Sequence, residues 1–107
     1  NGRFIDGDLT VNENIADLGA LRCLSLLLEK KNASSVDKKE MYSSFAKFWV
    51  SQSNDSYTKL LLLQDTHAPN KYRVNASLSS IDDFYDLYNI SFLNDMYVKK
   101  SNRVQVW

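Results

Sequence analysis

Asn12-Glu13-Asn14-Ile15-Ala16-Asp17-Leu18-Gly19 is the stretch on which the reading of this chain turns. Just ahead of it, Thr10-Val11-Asn12-Glu13 has the form of a capping box, so a helix is expected to start near Thr10. Ile15, Leu18, Leu21 and Leu24 then recur every three residues, with Leu27 and Leu28 completing an apolar stripe that carries the helix to about Lys31. Lys30 and Lys31 suit the negative end of such a helix. Glu13 and Asp17 stand four residues apart, which on a helix puts both carboxylates on one face. A metal centre uses that arrangement when one carboxylate binds the ion and the other orients a neighbouring ligand. The spacing also has a plain structural reading, in which Glu13 completes the capping box with Thr10 and Asp17 is an exposed or locally paired helix residue.

Two further groups lie downstream. Asp65-Thr66-His67 sets an acid beside the single histidine of the chain, and Arg73 offers a fixed cation with planar donors. A histidine in a loop is by itself more often a surface or capping residue than a catalytic one, and Arg73 could be an ordinary ion-pair partner. A zinc hydrolase site needs three protein ligands and an open position for water. With one histidine and one cysteine, the chain has neither a His-Glu-x-x-His pair nor a thiolate cluster. Either residues outside these 107 complete a site, or there is none.

The rest of the pattern predicts a mainly α fold. Residues 1–9, with Gly2 and Gly7, read as a loop. After a polar break at Asn32 to Ser35, a second helix is expected at about Asp37 to Ser51, with Met41, Phe45, Phe48, Trp49 and Gln52 at helical spacing. That aromatic stripe reads as core packing. A short helix at about Asp55 to Leu63 precedes a loop, Gln64 to Tyr72, fixed by Pro69. Ser79 and Ser80 are placed to cap a helix at about Ile81 to Tyr88, with Asp82 and Asp83 in its first turn. Asn89 to Asn102 looks irregular, and the alternation of Val104 and Val106 suggests a short strand over Arg103 to Trp107. Trp107 is expected to anchor the tail by packing, and Cys23 to be a small filler.

Composition narrows the function classes. Thirteen basic and thirteen acidic residues cancel, so no basic surface favours nucleic acid or an anionic membrane. An apolar fraction of 44% can build a core. No apolar run approaches the roughly 20 residues that span a bilayer. The lone cysteine allows no internal disulfide and favours a reducing compartment. Four Asn-x-Ser triplets, at Asn32, Asn54, Asn75 and Asn89, are expected by chance in a chain this rich in Asn and Ser and are read as unmodified.

The motifs taken together resemble the C-terminal end of the neprilysin-type zinc metallopeptidases, the M13 family. Asn12 to Gly19 is similar to that family's Gly-Glu-Asn-Ile-Ala-Asp-x-Gly motif. Phe45, Phe48 and Trp49 follow in order, then Asp65-x-His67-x-Pro69-x-Lys71-Tyr72-Arg73-Val74, then Phe84, Met96-Tyr97 and the closing Val104-Gln105-Val106-Trp107. Two positions depart from the pattern. Asn12 stands where the family usually has Gly, and Arg103-Val104-Gln105-Val106-Trp107 lacks the cysteine of many animal members. The second departure matches the cysteine-poor bacterial members of the oligopeptidase O type.

The resemblance implies the C-terminal helical part of a thermolysin-like (zincin) catalytic domain over residues 1–107, with the His-Glu-x-x-His helix lying ahead of Asn1. It implies a zinc-dependent endopeptidase acting on oligopeptides, with this chain inactive without the rest of the peptidase. Glu13 would be the third zinc ligand. Asp17 would hold a zinc-binding histidine in position. His67 would stabilise the oxyanion of the intermediate, with Asp65 orienting it. Arg73 would grip a carbonyl of the bound peptide. Oligopeptide substrate and the remainder of the peptidase chain are the expected partners. A bacterial cytoplasm is the expected location, with export or the cell surface as the alternative. The competing reading is a catalytically silent helical module kept for assembly or binding.

Overall fold

The structure, a computed structural model, describes residues 4–107. Its elements are α1 (Gly7–Lys30), α2 (Ser35–Phe48), α3 (Asp55–Gln64), α4 (Asn70–Leu78), α5 (Asp82–Tyr88) and a short 3-10 turn at Lys100–Asn102. The mainly α expectation holds, and there is no strand among the described residues.

The first helix begins a turn earlier than its sequence pattern suggested. Of the loop expected over residues 1–9, residues 1–3 lie outside those described, and the helix already starts at Gly7. Asp6 is the cap: its carboxylate accepts from the backbone N–H of Asp8 and Leu9 at 3.0 and 3.1 Å. Thr10 therefore sits inside the helix, where its hydroxyl donates back to the Asp6 carbonyl at 2.8 Å. The expected capping box is absent, and the Glu13 carboxylate is released from any capping duty. At the other end, Asn32 takes a left-handed conformation with φ 51° and Ala33 N–H reaches back to the Leu28 carbonyl, closing the helix.

α2 starts two residues earlier than expected, on a reciprocal cap in which Ser34 accepts from the Asp37 backbone N–H while the Asp37 carboxylate accepts from that of Ser34. α3 follows Asn54, whose side chain caps it, and buries no residue. α4 takes only the end of the expected loop, Asn70 to Tyr72, and continues to Leu78 through a stretch for which no element was expected. Asn70-Lys71-Tyr72-Arg73 shows no apolar period, yet Pro69 pre-sets the entry backbone, and Val74, Ser77 and Leu78 are buried against the rest of the fold. Tertiary packing, not propensity, makes this helix. Neither Ser79 nor Ser80 caps α5. The Ser79 hydroxyl donates to the Ala76 carbonyl, and the Ser80 hydroxyl accepts from Val104 N–H at 3.3 Å. That bond, with the one from Arg103 Nη1 to the Asp82 carboxylate at 2.7 Å, holds the tail where a short strand was expected.

Leu18 and Leu21 of α1, Tyr42 of α2, Val74 and Leu78 of α4, and Ile81, Phe84 and Tyr85 form the core. α1 packs against α4, and α2 against α5. Each fully buried Leu or Ile here contributes about 1.5–3 kcal/mol relative to exposure. The stripe on α1 is buried only in part: Ile15, Leu24 and Leu27 are about half exposed. Cys23 is exposed and fills no gap, because it points away from Leu18 and Leu21. Phe48 is also exposed, and Trp107 rests its ring edge near Gly19 while staying 78% exposed, so it caps the surface and does not enter the core.

Candidate functional site

The α1–α4 packing brings together all five residues that the sequence singled out. Glu13 and Asp17 lie one turn apart on α1. The bend Asp65-Thr66-His67 leaves the C-terminus of α3, and Arg73 stands on the first turns of α4. Two linked groups result, one facing solvent and one buried.

The outer group is Asp65, His67 and Glu13. The Asp65 Oδ1 accepts from the His67 backbone N–H at 2.8 Å and lies 2.7 Å from the ring Nδ1. Because a carboxylate only accepts, Nδ1 carries the proton in this contact. The other ring nitrogen, Nε2, lies 3.3 Å from the Glu13 Oε2. The histidine thus has one nitrogen fixed by Asp65 and the other turned toward Glu13. The His67 backbone N–H, followed by its ring, holds the Asp65 carboxyl below the usual carboxylate range. Side chains here are partly open, at 45% for His67 and 39% for Glu13.

The inner group is Asp17 and Arg73, only 10% and 11% exposed. Arg73 donates from Nε to Asp17 Oδ2 at 2.6 Å and from Nη2 to Oδ1 at 2.7 Å. This is a two-pronged pair of the strong, charge-assisted kind. It drives the Arg73 guanidinium further above its ordinary value, with Glu13 and Asp65 adding to the effect from a distance. Asp17 is thus a buried ion-pair partner of Arg73, not an exposed helix residue.

Trp49 packs against the core as the sequence suggested, but its contact with Arg73 was not foreseen. The residue closes α2, and the Arg73 Cζ sits over its ring, 3.9 Å from the centroid. Nothing in the local sequence could reveal this, because the contact depends on how α2 and α4 meet. The Glu13–His67 approach was equally invisible: each residue carried a role, but the distance between them comes from the fold.

Zinc can be tested against these donors. A zinc centre takes three protein ligands or more, and among the described residues no group of three or more His, Cys, Asp or Glu is disposed to hold a metal. Glu13 is a carboxylate free of helix capping and partly open to solvent, which suits one ligand position. The residues therefore fit zinc as one donor of a set that other residues must complete. Also, no helix among those described is long and apolar enough to cross a membrane.

Comparison with known proteins gives a consistent result. The family model described as Peptidase family M13 matches residues 1–104. The "Neutral endopeptidase" of Lactococcus lactis subsp. cremoris is 34% identical over 102 residues, covering 95% of this chain and 16% of that protein. The "Neutral endopeptidase" of Lactobacillus helveticus is 30% identical over 103 residues, covering 96% of this chain and 16% of its own length. The "Endothelin-converting enzyme homolog" of Locusta migratoria is 35% identical over 95 residues, covering 78% of this chain and 13% of that protein. The chain thus spans about 16% of the length of the bacterial relatives it matches. No solved structure matches it significantly.

Proposed function

This chain belongs to peptidase family M13, and from that membership we propose that the intact protein is a zinc-dependent endopeptidase hydrolysing oligopeptides. M13 is a metallopeptidase family. In this reading residues 1–107 are the C-terminal part of the catalytic domain, inactive alone, and they supply one zinc ligand and the groups that meet the substrate.

The observation that carries the reading is the convergence of Glu13 and Asp17 on α1, Asp65 and His67 in the bend after α3, and Arg73 on α4. Glu13 would supply one carboxylate oxygen to a bound zinc. Bound zinc would polarise the scissile carbonyl and lower the pKa of a bound water. His67 is held by Asp65 through Nδ1, so in the imidazolium form, with a proton on each ring nitrogen, Nε2 is the donor that faces developing negative charge on the carbonyl oxygen. A donor placed in that way contributes about 2.7–4 kcal/mol to a transition state. Asp17 has both oxygens on Arg73, and each oxygen keeps a second acceptor position for a ligand histidine. Arg73 holds a peptide carbonyl with the donors that Asp17 does not use.

The exposed apolar residues support the idea that this chain packs against further protein. Val11 and Ile15 on another face of α1 are each over two-fifths exposed, and Phe48, Leu63, Phe92 and Leu93 are each more than two-thirds exposed. Large exposed apolar surfaces are partner-seeking. For location we propose a bacterial cytoplasm, supported by the lone cysteine.

Zinc content and peptide hydrolysis of the intact protein test this reading. About one zinc per chain, with metal and activity both lost in Glu13→Ala, is the expected result. An intact protein that binds no zinc and cleaves no peptide overturns it in favour of a silent helical module. Chelator-sensitive cleavage by residues 1–107 alone would refute the claim that they are inactive by themselves.

A further inference from the structure

Two constraints of different kind act on the Arg73 guanidinium. Asp17 takes its Nε and Nη2 edge, which fixes the rotation of the group within its own plane. The Arg73 Cζ sits over the Trp49 ring, 3.9 Å from its centroid, so the indole limits how that plane can tilt. With the Nε and Nη2 edge taken, Nη1 is the end of the group that Asp17 leaves over, and no acceptor among the described residues takes a bond from it.

The placement of Trp49 is not explained by its own polar atom. Its Nε1 is buried without a partner among the described residues, an arrangement that is destabilising. Its main chain is secured separately: the Asn70 side chain donates to the Trp49 carbonyl at 3.0 Å and to the Ser51 hydroxyl at 2.9 Å. Phe48 meets the indole edge-on with centroids 5.1 Å apart. The α2 terminus is thus tied to the start of α4 in a way that presents the indole face to Arg73.

We propose that Trp49 is a positioning residue, whose indole face sets the plane of Arg73 so that Nη1 donates to a carbonyl of the bound peptide. This rests on the reading of Arg73 as the residue that holds the substrate. Trp49 acts through Arg73, and its effect should vanish when Arg73 is gone.

The test is a double-variant comparison in the intact protein. Trp49→Leu and Trp49→Phe are made with Arg73 present and with Arg73→Ala, and a short peptide is the substrate. With Arg73 present, Trp49→Leu should raise KM roughly three- to tenfold with kcat little changed, and Trp49→Phe, which keeps an aromatic face, should retain most of the wild-type KM. With Arg73→Ala, Trp49→Leu should change KM no further. An equal rise of KM in both backgrounds overturns the proposal, because the ring would then act on the peptide or the fold directly. An intact wild-type protein with no peptidase activity overturns the substrate-holding role itself, which separates that failure from this one. NMR of arginine-labelled protein gives a readout independent of hydrolysis. The Nε–H resonance lost in Arg73→Ala should shift in Trp49→Leu and stay near its place in Trp49→Phe; an unmoved resonance in Trp49→Leu sinks the stacking.

Discussion

Arg73 and Asp17, separated by 56 residues in sequence, form a two-pronged ion pair at 2.6 and 2.7 Å with both side chains about nine-tenths buried. Burial makes the pair a commitment: either partner alone would be a charge without compensation. Asp17→Asn keeps the shape and removes the charge, leaving the guanidinium stranded under Trp49. We expect a loss of about 3 kcal/mol of stability, read by urea unfolding. Arg73→Lys should cost less but still weaken the fold, since an ammonium can neither fork nor stack flat. An unfolding midpoint unchanged in Asp17→Asn would mean that the pair contributes nothing.

Tyr42 links α1, α2 and α5, and its titration gives a pH signature. Burial, with the Asp83 carboxylate at 3.2 Å from its hydroxyl, pushes the phenol up to about 12. The folded value lies above the unfolded value of about 10, so the folded state keeps the proton longer. The stabilising contribution is whole below pH 10 or so and is lost as pH rises toward the folded value. Alkaline unfolding followed by circular dichroism should show a steeper loss over that window in the wild type than in Tyr42→Phe. Parallel curves would contradict the assignment.

The Tyr85 hydroxyl ties the irregular tail to the helical core. It donates to the Ser79 carbonyl at 2.8 Å and accepts from Val98 N–H at 2.8 Å, while Arg103 stacks on the ring at 3.4 Å and reaches the Asp82 carboxylate at 2.7 Å. Tyr85→Phe leaves a buried carbonyl and a partly buried N–H without their partner, a cost of about 1–3 kcal/mol. Hydrogen exchange at Val98 should accelerate more than at core amides of α1. Equal acceleration everywhere would show a global loss and not a loosened tail.

Gly19 is buried on α1, and a Cβ built there would lie 2.9 Å from the outer ring of Trp107. Two effects oppose each other. Alanine in a helix interior gains about 1 kcal/mol over glycine, whereas the clash is with a side chain that is 78% exposed and free to swing. The helix term should win. Gly19→Ala is expected to melt at or above the wild-type temperature, with the emission of Trp107 altered. A clear drop in melting temperature would show that Trp107 is held more tightly than its exposure implies.

The sequence by itself determined the mainly α class, α3 and α5, and it singled out the five residues of the candidate site. Those features rest on short-range rules: apolar spacing along a helix, and motif residues at set intervals. It misplaced the start of α1, because Thr10 and Glu13 imitate a cap that Asp6 in fact provides. It missed α4 because that segment carries no helical period of its own and is helical only against α1. Tertiary structure alone decided that Asp17 and Arg73 pair, that the His67 Nε2 turns to Glu13, and that Trp49 lies over Arg73. The physical reason is common to all three. Each is a contact between different elements, set by how helices pack and by which charges become buried together, and local spacing does not encode that.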